Sequence, residues 1–152
     1  MTMKIILILA LILGSLYLLS AAETDSDSTF SIRGKVSFTK DIPVTVTCLT
    51  EQEFKEELPA RYFYLQRLSA SDLERGYIEY EISSIPEGKY LVFAFQDKNE
   101  NDKVDRILFA PREPWAIYGL PRPTTGKPKF AKLSMYIDSD LSALDMNLKK
   151  GF

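Results

Sequence analysis

Histidine is absent from this 152-residue chain and cysteine occurs once. Without histidine there is no Ser-His-Asp or Cys-His nucleophile system, no zinc site of the usual His type and no haem held by His. The commonest general base at neutral pH is missing too. A single cysteine rules out an internal disulfide and any Cys-cluster metal site. Charge of one sign is also lacking. Nineteen Lys and Arg stand against 21 Asp and Glu, giving a net charge of -2 and a pI near 5.3. That balance carries no polycationic signature for nucleic acid.

The chain does hold one apolar run. Ile5–Leu19 follows a short start whose charge is Lys4, and it leads into Ser20-Ala21-Ala22 ahead of Glu23. A basic start, an apolar stretch and small residues at the minus-three and minus-one positions are the layout of a secretory signal peptide. Fifteen residues are short for a membrane span, which needs about 20. The competing reading of the same stretch is an uncleaved N-terminal anchor. No cysteine stands near the cleavage point to take a lipid. The expected organisation is therefore a signal peptide over 1–22, a flexible polar spacer over 23–29 and a single domain over 30–150. The mature protein is expected to be secreted or periplasmic, in a bacterial cell envelope, with no stable membrane span.

Beyond the spacer, Phe30–Phe38 alternates apolar and polar side chains, the period-two pattern of a strand with one wet face. Asp41-Ile42-Pro43 reads as a turn and Val44–Leu49 as a second strand, so the pair is expected to form a hairpin. Cys48 alternates with Val44 and Val46 and reads as a buried thiol. Thr50 followed three residues later by Glu53 has capping-box spacing for a short helix ending before Pro59. Arg61–Leu68 reads as extended and Ser71–Gly76 as a turn or one helical turn. Tyr77–Ser83 alternates again. Lys89–Gln96 is apolar on both faces, as a central strand can be. Residues 97–129 hold five of the eight prolines and read as a long irregular connection. Late strands are expected near Leu133–Ile137 and Ala143–Lys149. About seven short strands separated by turns predict an all-β, antiparallel sandwich of immunoglobulin-like type with one long loop.

The sharpest local feature is Asp97-Lys98-Asn99-Glu100-Asn101-Asp102-Lys103-Val104-Asp105. Calcium takes about six to eight hard oxygens, from side chains and backbone carbonyls. D-x-N-x-N-x-x-x-D spacing in a tight loop aims Asp97, Asn99, Asn101 and Asp105 at one point, with the Lys103 carbonyl between them. An EF-hand has Gly where Asp102 stands and a bidentate Glu where Leu108 stands. The loop therefore needs a ligand from elsewhere, and Glu113 is the nearest downstream candidate. The alternative is a plain Asx turn, in which Asn and Asp side chains bond their own backbone.

Three segments occur in order: Pro86-Glu87-Gly88-Lys89-Tyr90, the Asp97–Asp105 loop, and Pro111-Arg112-Glu113-Pro114-Trp115-Ala116-Ile117-Tyr118-Gly119. Together they resemble the secreted bacterial domain-of-unknown-function family numbered 2141. The resemblance extends over Phe30–Lys150, with specific motifs in 85–119. It implies a transthyretin-like or carbohydrate-binding-like β-sandwich and supplies no established activity. Asp102 departs from the family's loop glycine.

Trp115 and Tyr118, with Phe109, Arg112 and Arg122 nearby, offer a second constellation. Exposed rings beside a calcium loop can stack on sugar or anchor a protein interface. Buried, the same rings would only pin the loop to the sandwich. An enzyme would have to work with carboxylates alone. Glu79 and Glu81 share one strand face, as glycosidase acids might, but alternating charge on a wet strand is the common cause of that pattern.

The functional expectation is an exported, non-catalytic β-sandwich with a calcium loop, serving as a binding or structural module toward an envelope protein or glycan. A carbohydrate-binding module using Trp115, Tyr118 and Arg112 is the alternative, and a small carboxylate-dependent hydrolase the remote one. The leader reading has its own check: intact-mass measurement on native material should place the mature N-terminus at Glu23. A membrane-bound species retaining residues 1–22 would establish the anchor.

Overall fold

Alternation along the chain becomes two packed sheets. The computed structural model describes residues 28–99, 101, 106–107, 110–111, 113–121 and 128–149. The expected leader and the start of the spacer lie outside them. Within them run β1 (Thr29–Ser37), β2 (Val44–Leu49), α1 (Glu51–Glu56), β3 (Tyr62–Gln66), α2 (Ala70–Arg75), β4 (Tyr77–Pro86) and β5 (Gly88–Gln96). The strand pairs then shorten: β6 (Arg106–Ile107), β7 (Ala110–Pro111), β8 (Trp115–Ile117), α3 (Phe130–Leu133), β9 (Met135–Ile137) and β10 (Met146–Asn147). The first sheet has the order β10-β1-β4, and the second β3-β2-β5-β8 with β9 also paired to β5. The chain is an all-β sandwich, antiparallel except where β10 runs parallel to β1.

Each long strand uses its period of two. In the first sheet Ile32 faces Ile82 and Val36 faces Ile78 across β1 and β4, all buried. The alternate residues are wet, and there Arg33 pairs with Glu81 (3.1 Å) and Lys35 with Glu79 (3.6 Å). These exposed cross-strand pairs contribute at most about 1 kcal/mol each. They also account for both carboxylates of the expected glycosidase-like pair.

The second sheet is apolar on both faces, and this explains β5. Tyr90, Val92 and Ala94 join Val44, Val46 and Cys48 in the core between the sheets. Leu91 and Phe95 turn the other way and, with Trp115, Ile117 and Phe130, form a second cluster. Phe54 of α1 and Leu133 of α3 pack against that cluster. Burial pushes the Cys48 thiol up to about 12, with the charge of Glu53 adding to the effect. The group is a small core hydrophobe in the neutral form.

Both short helices after β2 and β3 start on capping boxes. Thr50 and Glu53 cap α1 reciprocally, as the spacing predicts. Ser69 and Asp72 do the same for α2, so the stretch 71–76, read as a turn or one helical turn, belongs to a six-residue helix that ends on Gly76 at φ 75°. The Ser69 backbone N–H and hydroxyl hold the Asp72 carboxyl down at about 2, with help from Arg75.

Two expectations change. β1 and β2 do not form a hairpin: they lie in different sheets, and 38–43 crosses between them. Alternation fixes which residues point inward but not which strand is the neighbour. The stretch 97–129 is likewise not wholly irregular, since β6 and β7 pair with each other and β8 adds to β5.

The C-terminal segment closes the first sheet through Gly34. The Leu144 N–H donates to the Arg33 carbonyl (3.0 Å), and the Leu144 carbonyl accepts from the buried Tyr80 hydroxyl (2.8 Å). A Cβ on Gly34 would lie 2.3 Å from the Leu144 oxygen, a backbone atom that cannot swing aside. A Cβ on Gly88 would instead meet the tip of the Tyr90 side chain at 3.2 Å. Gly34→Ala should therefore destabilise by about 1–3 kcal/mol and lower the melting temperature by roughly 5–10 °C. Gly88→Ala should change it by a degree or two at most. Calorimetry on both variants checks the contrast, and equal melting temperatures would refute the packing argument.

Candidate cation-binding loop at the end of strand β5

The loop of interest begins where β5 stops, and the last residue of β5 fixes its position. Gln96 is fully buried. Its amide nitrogen donates to the carbonyls of Lys40 (2.7 Å) and Ile42 (2.9 Å). Its amide oxygen accepts from the Thr39 N–H and hydroxyl, both at 3.1 Å. One side chain thus ties the crossing segment between the sheets to the end of β5. The Gln96 N–H donates to the Pro114 carbonyl (2.9 Å), which docks the approach to β8 alongside.

Asp97 and Glu113 follow from that docking. Both carboxylates are buried, at 3% and 5% exposure. Asp97 Oδ1 accepts from the Asn101 N–H (3.2 Å), folding the loop back over four residues. Glu113 Oε1 accepts from the Lys98 N–H (2.8 Å). Residues 15 positions apart are thereby held at one corner of the sandwich. An ionised carboxylate is an acceptor only, and one withdrawn from water needs donors or a cation as partner. Asn99 and Asn101 are exposed. Lys103 and Asp105, expected to complete the ligand set, lie outside the described residues. Among the described residues no group of three His, Cys, Asp or Glu is placed to hold a metal.

The aromatic segment turns inward. Trp115 is 5% exposed, with its ring centroid 6.2 Å from that of Phe93. Phe93 stacks in turn on Phe95 at 5.5 Å. The Trp115 backbone bridges to Lys149. Tyr118 is half-buried against the main core, and its N–H donates to the Val92 carbonyl (3.0 Å). The indole therefore presents no open face for stacking and pins the loop to the sandwich. Phe109, Arg112 and Arg122 lie outside the described residues. Sequence reasoning missed Gln96. The one available signal was an amide ending a strand that is otherwise apolar on both faces.

A family model described as "Uncharacterized protein conserved in bacteria (DUF2141)" matches residues 32–143. The chain belongs to this family. No curated protein and no solved structure matched it. The DUF2141 match takes in the loop, Glu113 and β8. It stops before β10, although Leu144, Met146 and Leu148 are buried in the core. The working domain thus includes residues beyond the family match.

Gln96→Ala removes four hydrogen bonds and takes this partner from the Thr39 N–H and the Ile42 carbonyl, while the Lys40 carbonyl keeps the Ile42 N–H (3.0 Å). It should cost about 2–4 kcal/mol, given roughly 1–3 kcal/mol for each buried polar group left unpaired. Urea unfolding gives the number. A loss below 0.5 kcal/mol (roughly the scatter for inert surface changes) would mean that Gln96 does not hold the crossing segment.

Proposed function

We propose that this DUF2141 protein is an exported, non-catalytic β-sandwich that serves as a binding or structural module of the bacterial cell envelope. Its Asp97–Asp105 loop closes on a calcium-type cation. The observation that supports the reading is that the buried Glu113 carboxylate bonds the Lys98 N–H, next in the chain to the buried Asp97, although 15 residues of chain separate Lys98 from Glu113. A polar turn alone has no need to recruit a second carboxylate from the approach to β8. The D-x-N-x-N-x-x-x-D spacing supplies further oxygens from Asn99, Asn101, the Lys103 carbonyl and Asp105, and Glu113 answers the lack of an acid at the loop's twelfth position. The leader-like N-terminus supports the extracytoplasmic address, where calcium is plentiful enough to fill a weak site. The partner is an envelope protein or glycan, with no role for nucleic acid.

Asp102 in place of glycine leaves the loop less preorganised, and few of its ligands are charged. Affinity should fall in the range of about 10⁻⁴ to 10⁻³ M seen in extracellular modules. Linkage at millimolar calcium then adds on the order of 1 kcal/mol, or a few degrees in melting temperature. Titration calorimetry of the mature chain with calcium chloride should show one site, weakened at least tenfold in Asp97→Ala and in Glu113→Ala. No binding up to several millimolar, or unchanged binding in both variants, would reduce the loop to a polar turn.

A further inference from the structure

Among the described residues two tyrosines are buried in the core, Tyr80 at 3% and Tyr90 at 6% exposure. The Tyr80 hydroxyl bonds the Leu144 carbonyl (2.8 Å). The Tyr90 hydroxyl bonds nothing among the described residues, although a buried phenol normally finds a partner. Tyr90 also borders a groove of about 840 Å³ beside the start of α1, a volume that suits a small molecule. Leu58, Pro59, Tyr62 and Pro86 supply the rest of the apolar wall. Tyr62 meets Tyr90 edge-on, with ring centroids 6.1 Å apart.

Three charged residues border the groove, and two of them are already answered. Glu51 pairs with Lys55 (2.6 Å). Glu53 accepts from the Thr50 N–H (2.7 Å), the Thr50 hydroxyl (2.8 Å) and the Arg61 backbone N–H (3.0 Å). The third, Arg61, is exposed, and its guanidinium has no ion pair among the described residues. Glu51, Glu53, Lys55 and Arg61 sum to zero charge, so an anion meets no net repulsion from them. What the groove leaves unanswered are donors, the guanidinium and the phenol. Burial, with Tyr62 adding to it, raises the Tyr90 hydroxyl above its ordinary range, and the charge of Arg61 pulls the other way. At neutral pH the group is an O–H donor.

We propose that this groove binds a small apolar carboxylic acid. Its hydrocarbon body lies against Leu58, Pro59, Tyr62 and Pro86, and its carboxylate accepts from the Arg61 guanidinium and the Tyr90 hydroxyl. A guanidinium–carboxylate bond is charge-assisted and about twice as strong as a neutral one. The groove shares no residue with the Asp97–Asp105 loop or Glu113, so the proposal goes beyond the cation reading and stands or falls separately from it.

The test is an amide-shift titration by NMR of the mature chain with 3-phenylpropionate and with its neutral twin, 3-phenylpropionamide. The acid should shift amides within 50–62 and 87–90 and bind roughly fivefold to tenfold more tightly than the amide, the worth of one charge-assisted bond partly open to water. Calcium should make no difference. Arg61→Gln, at an exposed position, should bring the two ligands level. Tyr90→Phe should weaken the acid roughly threefold or more. The same variant should keep its melting temperature within about two degrees, because the hydroxyl removed has no partner in the protein. The proposal is overturned if neither ligand shifts these amides at tens of millimolar, or if acid and amide bind the unaltered chain equally. It is also overturned if glucuronate shifts them and 3-phenylpropionate does not, the mark of a glycan groove. A Tyr90→Phe variant that melts several degrees lower while binding the acid normally would make the phenol structural and overturn it too.

Discussion

A primary amide buried at the end of β5 sets the geometry of one end of the sandwich. Gln96 has two donors and an acceptor oxygen, and the protein uses all of them on a single segment, 38–43. That segment carries the chain from one sheet to the other. Its bonds to Gln96 fasten Thr39, Lys40 and Ile42 to the end of β5, and β1 and β2 part company without a hairpin between them. The residue after Gln96 is Asp97, so the loop that follows starts from a point held on three sides. Few residues of a small domain are better fixed, and a cation site needs such a footing for its first ligand.

The second sheet carries unusual weight for its size. Its inner face joins the main core and its outer face has a core of its own, roofed by α1 and α3. β8 is three residues long, yet all three are buried. Its hydrogen bonds to β5 bring Pro114 and Glu113 to the loop. Packing of Trp115 on Phe93 and placement of Glu113 beside Lys98 are thus two ends of one short element. The roof stops short of β3, and this leaves Phe63 and Leu65 uncovered at the margin.

Much of this was legible in the sequence. Period-two alternation identified the inward set of β1, β4 and the last strand, down to Leu144, Met146 and Leu148, because burying one sheet face imposes that period whatever the partner strand. The Thr50–Glu53 box marked α1 because capping is local chemistry. Ser69–Asp72 carries the same signal and went unread. The loop's oxygen pattern was visible for the same local reason, and Glu113 was singled out by sequence distance. Strand order was not legible. A six-residue connection serves a hairpin or a crossing equally well, and the Gln96 contacts that decide the matter span more than 50 residues. β8 was hidden among prolines because a three-residue strand is stabilised by its neighbours and not by its own propensity.

The parallel pairing of β1 with β10 also governs when the molecule can fold. Val36 lies opposite Met146, and Ser31 and Lys35 each donate a backbone N–H to an aspartate about 110 residues later, Asp140 and Asp145. The first strand of the domain therefore cannot complete its sheet until β10 has been synthesised. Until then Ile32 and Val36 lack part of their cover, and the loop-closure entropy of contacts spanning about 110 residues is still to be met. High contact order slows such folding intrinsically. A chain of this topology closes its first sheet last, after every strand of the second sheet has been made.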